Sequence, residues 1–182
     1  MKKLIAILMS LVMVLAFAAC SKAPVDDEPE TEVETAAEEA VSEEAVAGDT
    51  VAQTLVAEFK TIAATETDAL VVAEKLAQSA AVAAISPAAM ELELEENYLS
   101  GFDNYEVLGF DKVIQVAPMM GTIPFVSYVF TLAEGTDADA FVKGLEDNAN
   151  LRWNICTQAD EMVAVAEGNF VFFVMAPASF DA

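Results

Sequence analysis

Histidine is absent from the 182 residues, and only two cysteines and one tryptophan occur. Without histidine there is no Ser-His-Asp or Cys-His nucleophilic system, no histidine general base and no histidine-ligated zinc. The cysteines, Cys20 and Cys156, are too few for a disulfide framework. Cys156 has neither a His nor a Lys beside it and reads as a small buried apolar residue rather than a nucleophile. The seven glycines are scattered singly, which suits turns. No phosphate-cradling glycine loop, G-x-S-x-G or Ser-x-x-Lys is present. Basic residues are scarce too: 8 Lys and Arg face 31 Asp and Glu, for a net charge of −23. That field repels nucleic acid, anionic lipid and teichoic acid, so no nucleic-acid partner is expected.

The residues that are present fall into three stretches. Lys2 and Lys3 give a short positive start, and Leu4 to Ala19 follow with no charge and one polar residue, Ser10. This run matches the core of a secretory signal and is shorter than the roughly 20 residues of a spanning helix. Small residues then lead to a thiol: Ala16-Phe17-Ala18-Ala19-Cys20. The stretch resembles the lipobox of bacterial lipoproteins, with Phe17 where Leu is commonest. The resemblance implies cleavage between Ala19 and Cys20 and a diacylglyceryl group on Cys20. The expected partner is then a membrane, reached through that lipid, and the expected location is extracytoplasmic. Ser21 differs from the Asp that signals inner-membrane retention, so an outer membrane is open where one exists. Two acyl chains, at ~0.8 kcal/mol per buried CH₂, give durable anchoring where one chain does not. An ordinary signal peptide ending near a cysteine, or an uncleaved anchor, are the competing readings.

Residues 21–50 carry eleven acids and one base, Lys22, with no aromatic residue. The segment has too little to bury against its chain entropy, so an acidic disordered linker is expected over residues 20–50. Like charges four apart at Glu30/Glu34, Glu34/Glu38 and Glu39/Glu43 oppose a helix at neutral pH. Its functional reading is a tether, and its plain reading a solubilising tail.

The remaining 132 residues, 51–182, suit one domain with a real core. Leu55, Val56, Phe59 and Ile62 sit at helical spacing, and Leu70, Val71, Glu74 and Leu76 continue it after a break that Thr67 or Asp68 caps. Pro87 stops the helical region. The alternation from Met90 to Glu95 suggests a short extended segment. Val107–Phe110 and Val113–Val116 are apolar runs parted near Asp111. Phe125–Leu132 reads as a strand with Val126, Tyr128, Phe130 and Leu132 on one face and Ser127 and Thr131 on the other. Thr136 with Asp139 resembles a capping box opening a helix from Asp137 to about Ala149, with Phe141, Val142 and Leu145 inward. Met162–Ala166 and Phe170–Met175 flank Glu167-Gly168-Asn169 as a hairpin whose second strand is apolar on both faces. The expected fold is α+β: N-terminal helices and an antiparallel sheet with a strand-helix-hairpin unit, in a two-layer sandwich. APMMGTIPFVSYVF and EGNFVFFVMAP resemble small lipoproteins of clostridia-like bacteria, a group that carries over no activity.

No pattern specifies a reaction, and neither a cofactor nor a metal is expected. Asp137-x-Asp139 lacks the glycine and distal Glu of a calcium loop and reads as helix capping. Glu91, Glu93, Glu95 and Glu96 read as a solvated acidic patch. Tyr98, Phe102, Tyr105 and Phe110, with Gly101 and Asn104 among them, pack a core or line a sugar or peptide groove. Trp153, between Arg152 and Asn154, seals one end of the core or borders a pocket. The candidate ligand surface is therefore Trp153, Tyr98 and Tyr105. The expected function is a binding or scaffolding module at the cell envelope. The alternative is a hydrolase of the glycoside type using carboxylates alone.

Overall fold

The computed structural model describes residues 50–94 and 97–180. Ala19, Cys20, the acidic linker up to Asp49, Glu95 and Glu96 lie outside the described residues. Two helices open the domain, α1 (Val51–Ala63) and α2 (Ala69–Ala77), followed by a 3-10 segment (Ala80–Ile85). The rest comprises β1 (Ala88–Glu91), β2 (Phe110–Ala117), β3 (Val126–Leu132), α3 (Ala138–Asn148), β4 (Glu161–Glu167) and β5 (Phe170–Ala176). The strands form one antiparallel sheet in the order β1-β2-β3-β5-β4. The α+β class expected from the sequence holds.

Local chemistry sets the helix starts. The Thr50 hydroxyl accepts from Gln53 N at 3.3 Å at the start of α1. At α2 the cap is Asp68, whose carboxylate accepts from Leu70 N at 2.9 Å. The buried face of α1 includes Leu55 and Phe59 as expected, with Val56 and Ile62 only partly covered. In α2 the expected inward set of Leu70, Val71 and Glu74 is displaced. Leu76 is buried as expected and is joined by Ala69, Val72 and Ala73, because capping at Asp68 fixes the helix phase and the alanines let it lie close to the sheet. At α3 the cap is Asp137, accepting from Ala140 N at 2.9 Å, not Thr136. Thr136 donates its hydroxyl to Gly109 O at 2.9 Å, which removes it from the capping role. Phe141 and Leu145 are buried; Val142 is half-buried.

The sheet departs from the sequence reading in instructive ways. Of the first apolar run only Phe110 enters β2, which continues through Val113–Val116; Phe110 pairs Leu132 and Lys112 pairs Thr131, leaving Asp111 as the extra residue of a bulge. The extended segment around Met90 lies earlier than expected, beginning at Ala88. The face of β3 expected to be polar is also covered: Ser127 is buried and Val129 beside it is fully buried. β5 lies between β3 and β4 and every residue of it is buried. The turn before it places Gly168 at φ +60°, a left-handed position natural for glycine.

Covering both faces of β5 requires two cores, and the layering is fuller than a two-layer sandwich. On one face, α1 and α2 pack over Ile114, Val129, Phe172 and Val174, with the Phe59 and Phe172 rings stacked at 5.2 Å. On the other, α3 and residues 97–109 cover Tyr128, Phe130, Val171 and Phe173. There Phe102 meets Phe173 at 4.8 Å and Phe130 meets Phe141 edge-on at 5.2 Å. Each such ring contributes roughly 1.5–3 kcal/mol on burial. The helices fall on opposite faces because β5 has no polar face to leave in water.

Candidate functional site

A concavity lies where residues 102–105 meet the end of α3 at residues 147–150. It is a broad, open depression of about 560 Å³. Its floor is Phe102, buried against Phe173, and its walls carry Asp103, Asn104, Tyr105, Asp147, Asn148 and Asn150. Asn150 fastens the two sides. Its Nδ2 donates to both Asp103 carboxylate oxygens at 3.0 and 2.8 Å, and its backbone N donates to Gly101 O at 2.7 Å. Asp103 holds φ +47°, an uncommon backbone state for a non-glycine residue, and that clasp offsets its cost.

Gly144 explains why Tyr105 can lie against α3. A Cβ there would stand 2.9 Å from the Tyr105 hydroxyl, so a side chain would push the ring away. Gly101, at φ +99°, performs a similar service for the chain's path over Met175: an added Cβ would collide with the Met175 methyl. Nothing in the sequence alone pairs these glycines with their neighbours, because the contacts span 39 and 74 positions.

Of the aromatic residues singled out from the sequence, Phe102 and Tyr105 line the depression, and of the candidate surface Trp153, Tyr98 and Tyr105 only Tyr105 does. Tyr98 is 47% exposed in a short antiparallel bridge with Glu106. Trp153 is half-buried against the α3-side core, its backbone N donating to Asn150 O at 3.0 Å. It therefore seals the core and does not border the depression. Cys156 is exposed, contrary to the buried role expected of it, because it sits in the loop before β4 with no strand to carry it inward. Cys20 lies outside the described residues.

The two carboxylates at the depression both have donors. Asp103 accepts from Asn150, and Asp147 accepts from Lys143 Nζ at 2.7 Å. That hydrogen bond and charge raise the Lys143 pKa above its ordinary value. Glycoside cleavage sets two carboxyl groups about 5–10 Å apart in a cleft that governs water access. Here both carboxylates are exposed on an open surface. The Asn150 amide is taken by Asp103 and Arg152 N, and Asn148 Nδ2 donates to Gly144 O at 2.8 Å, so the exposed Asn104 amide, the Tyr105 phenol and the aromatic floor are what suit contact with a polar ligand or an extended peptide. Among the described residues no three His, Cys, Asp or Glu side chains converge as a metal site, and no helix is long and apolar enough to cross a membrane. Compared with known proteins, the chain matches no family model, no curated protein and no solved structure.

Proposed function

We propose that this chain is an extracytoplasmic lipoprotein, held on the outer face of a membrane by lipid on Cys20, whose domain is a binding or scaffolding module of the cell envelope. The tether reading is supported by the basic start, the 16-residue uncharged run and Ala18-Ala19-Cys20. The binding reading is carried by one observation: an open depression of Asn104, Asn148, Asn150 and Tyr105 whose carboxylates are already held by Asn150 and Lys143. Such a surface offers the Asn104 amide and the Tyr105 phenol to a ligand and no free acid-base pair.

Two measurements test the two halves. Expressed in a bacterium fed labelled palmitate, the wild-type chain takes up label and the Cys20→Ser chain does not; equal labelling, or none in either, refutes the tether. In envelope crosslinking with the full chain, Tyr105→Ala loses the partner or ligand that the wild type retains. An unchanged capture profile removes the depression from the binding role.

A further inference from the structure

The sheet register fixes which loops share an end of the domain. Ala88 pairs Ala117, Val126 pairs Met175, and Glu161 pairs Ala176, so these residues mark one end. The β2–β3 connection, residues 118–125, and the segment entering β4, residues 149–160, therefore emerge there. The chain leaving β5 comes to the same end, where Ala178 O accepts from Val51 N at 3.1 Å. Thr50, through which the N-terminal 49 residues join the domain, stands at that end too.

The two loops are tied together: Asn154 Nδ2 donates to Gly121 O at 2.6 Å. Their outermost side chains are apolar. Met119 is 87% exposed, Met120 70% and Ile155 100%. Large apolar groups so exposed and so grouped mark an interaction surface. The charge around them is sorted. Residues 118–125 have no ionisable side chain and residues 149–158 have only Arg152 among the charged types, in a domain of 20 acids and five bases. Asp160, at the edge of this segment, accepts from Ala178 N at 2.9 Å.

We infer that this end docks on the lipid surface that holds the chain, with Met119, Met120 and Ile155 inserted among the acyl chains near the headgroups. The inference rests on the proposed membrane tether. The proposed tether selects lipid as the occupant, because the 29 residues between Cys20 and Thr50 join the domain at this end, and a coil of that length would span roughly 30 Å, which favours this end over the opposite one at the membrane. Confinement at that range makes even weak partitioning of three side chains effective. Residues 118–125 and 149–158, whose one charged side chain is Arg152, are not repelled by an anionic leaflet, whereas the acidic remainder of the domain is, which favours these two loops facing the membrane.

Trp153 is the chain's single tryptophan and lies two residues from Ile155, which supplies the probe. The full chain, purified from membranes with its N-terminal segment intact, is reconstituted in phosphatidylcholine–phosphatidylglycerol vesicles with or without brominated acyl chains. Bromolipid should quench Trp153 emission at least two-fold and shift the maximum to the blue of its value in buffer. A Met119→Ser, Met120→Ser, Ile155→Ser variant, with an unchanged far-UV circular dichroism spectrum, should float with the vesicles equally well and lose the quenching. Floating without quenching in the wild type overturns the docking and leaves the tether standing; equal quenching in the variant also overturns it. Failure to float overturns both readings. Crosslinks from the neighbouring Cys156 to another protein or a second copy, with no quenching, reassign this end to a protein partner.

Discussion

Replacing Tyr128 with phenylalanine should weaken the protein at neutral pH and strengthen it in strong alkali. The ring is fully buried in the α3-side core. Its hydroxyl donates to Ser100 O at 3.0 Å and accepts from Gln115 Nε2 at 3.1 Å. Tyr128→Phe strands both partners, at a cost of about 1–2 kcal/mol. Burial pushes the phenol's pKa from 10.0 up to about 12, outweighing the hydrogen bonds from Gln115 and to Ser100, which lower it. Because the folded value exceeds the unfolded one, the folded state holds the proton more tightly. That contribution is intact below pH 10 and is lost as pH rises from 10 through 12. The wild type therefore forfeits roughly 1 kcal/mol by pH 11 and roughly 2 kcal/mol by pH 12, whereas the variant has nothing to ionise at this position. The stability order should reverse near pH 11. Urea unfolding of both proteins at pH 7 and across pH 10–12 measures it, and tyrosinate absorbance should show a late-rising component that Tyr128→Phe lacks. A stability gap that stays constant with pH refutes the burial argument.

Phe172→Ala should cost about 3–5 kcal/mol and lower the urea midpoint sharply, since it empties the centre of the sheet and strips Phe59 of its stacking partner; a loss below about 1 kcal/mol would mean that α1 does not depend on β5. Asp137→Ala should destabilise α3 by about 1 kcal/mol and speed amide exchange at Ala140, while Thr136→Ala leaves that amide protected. The reverse pattern would restore Thr136 as the cap.

Much of the fold is legible wherever the signal is local. The run Phe170 to Met175 announces a strand covered on both faces, and Gly168 announces the turn before it. Thr65 to Asp68 correctly breaks the helical region. Errors arise where two nearby residues compete for one role or where a distant neighbour decides. Thr136 and Asp137 both qualify as caps, and only the position of Gly109 O, 27 residues away, draws the threonine off. Ser127 reads as surface-facing, yet helices folded from the chain's other end cover it. The depression is less legible still. Tyr105 and Asn104 are visible as candidates, but their companions Asn148 and Asn150 are joined to them only by the packing of α3. Trp153 and Tyr98 carry the same local signature as Tyr105, and only tertiary placement separates the three. Ile155 gives no warning of full exposure, since its apolar character predicts the opposite.

The order of strands has a consequence for how the domain is made. β3 pairs not with the strand that follows it but with β5, the later arm of the β4–β5 hairpin. Until Phe170–Ala176 emerges, β1, β2 and β3 form an incomplete half-sheet with an open edge, and β4 has nothing to join. Such a half-sheet stays open along β3 and locks only when β5 arrives to join β3 and β4. A product cut short before Phe170 lacks the middle of its sheet and presents a bare strand edge to proteases and to its own kind.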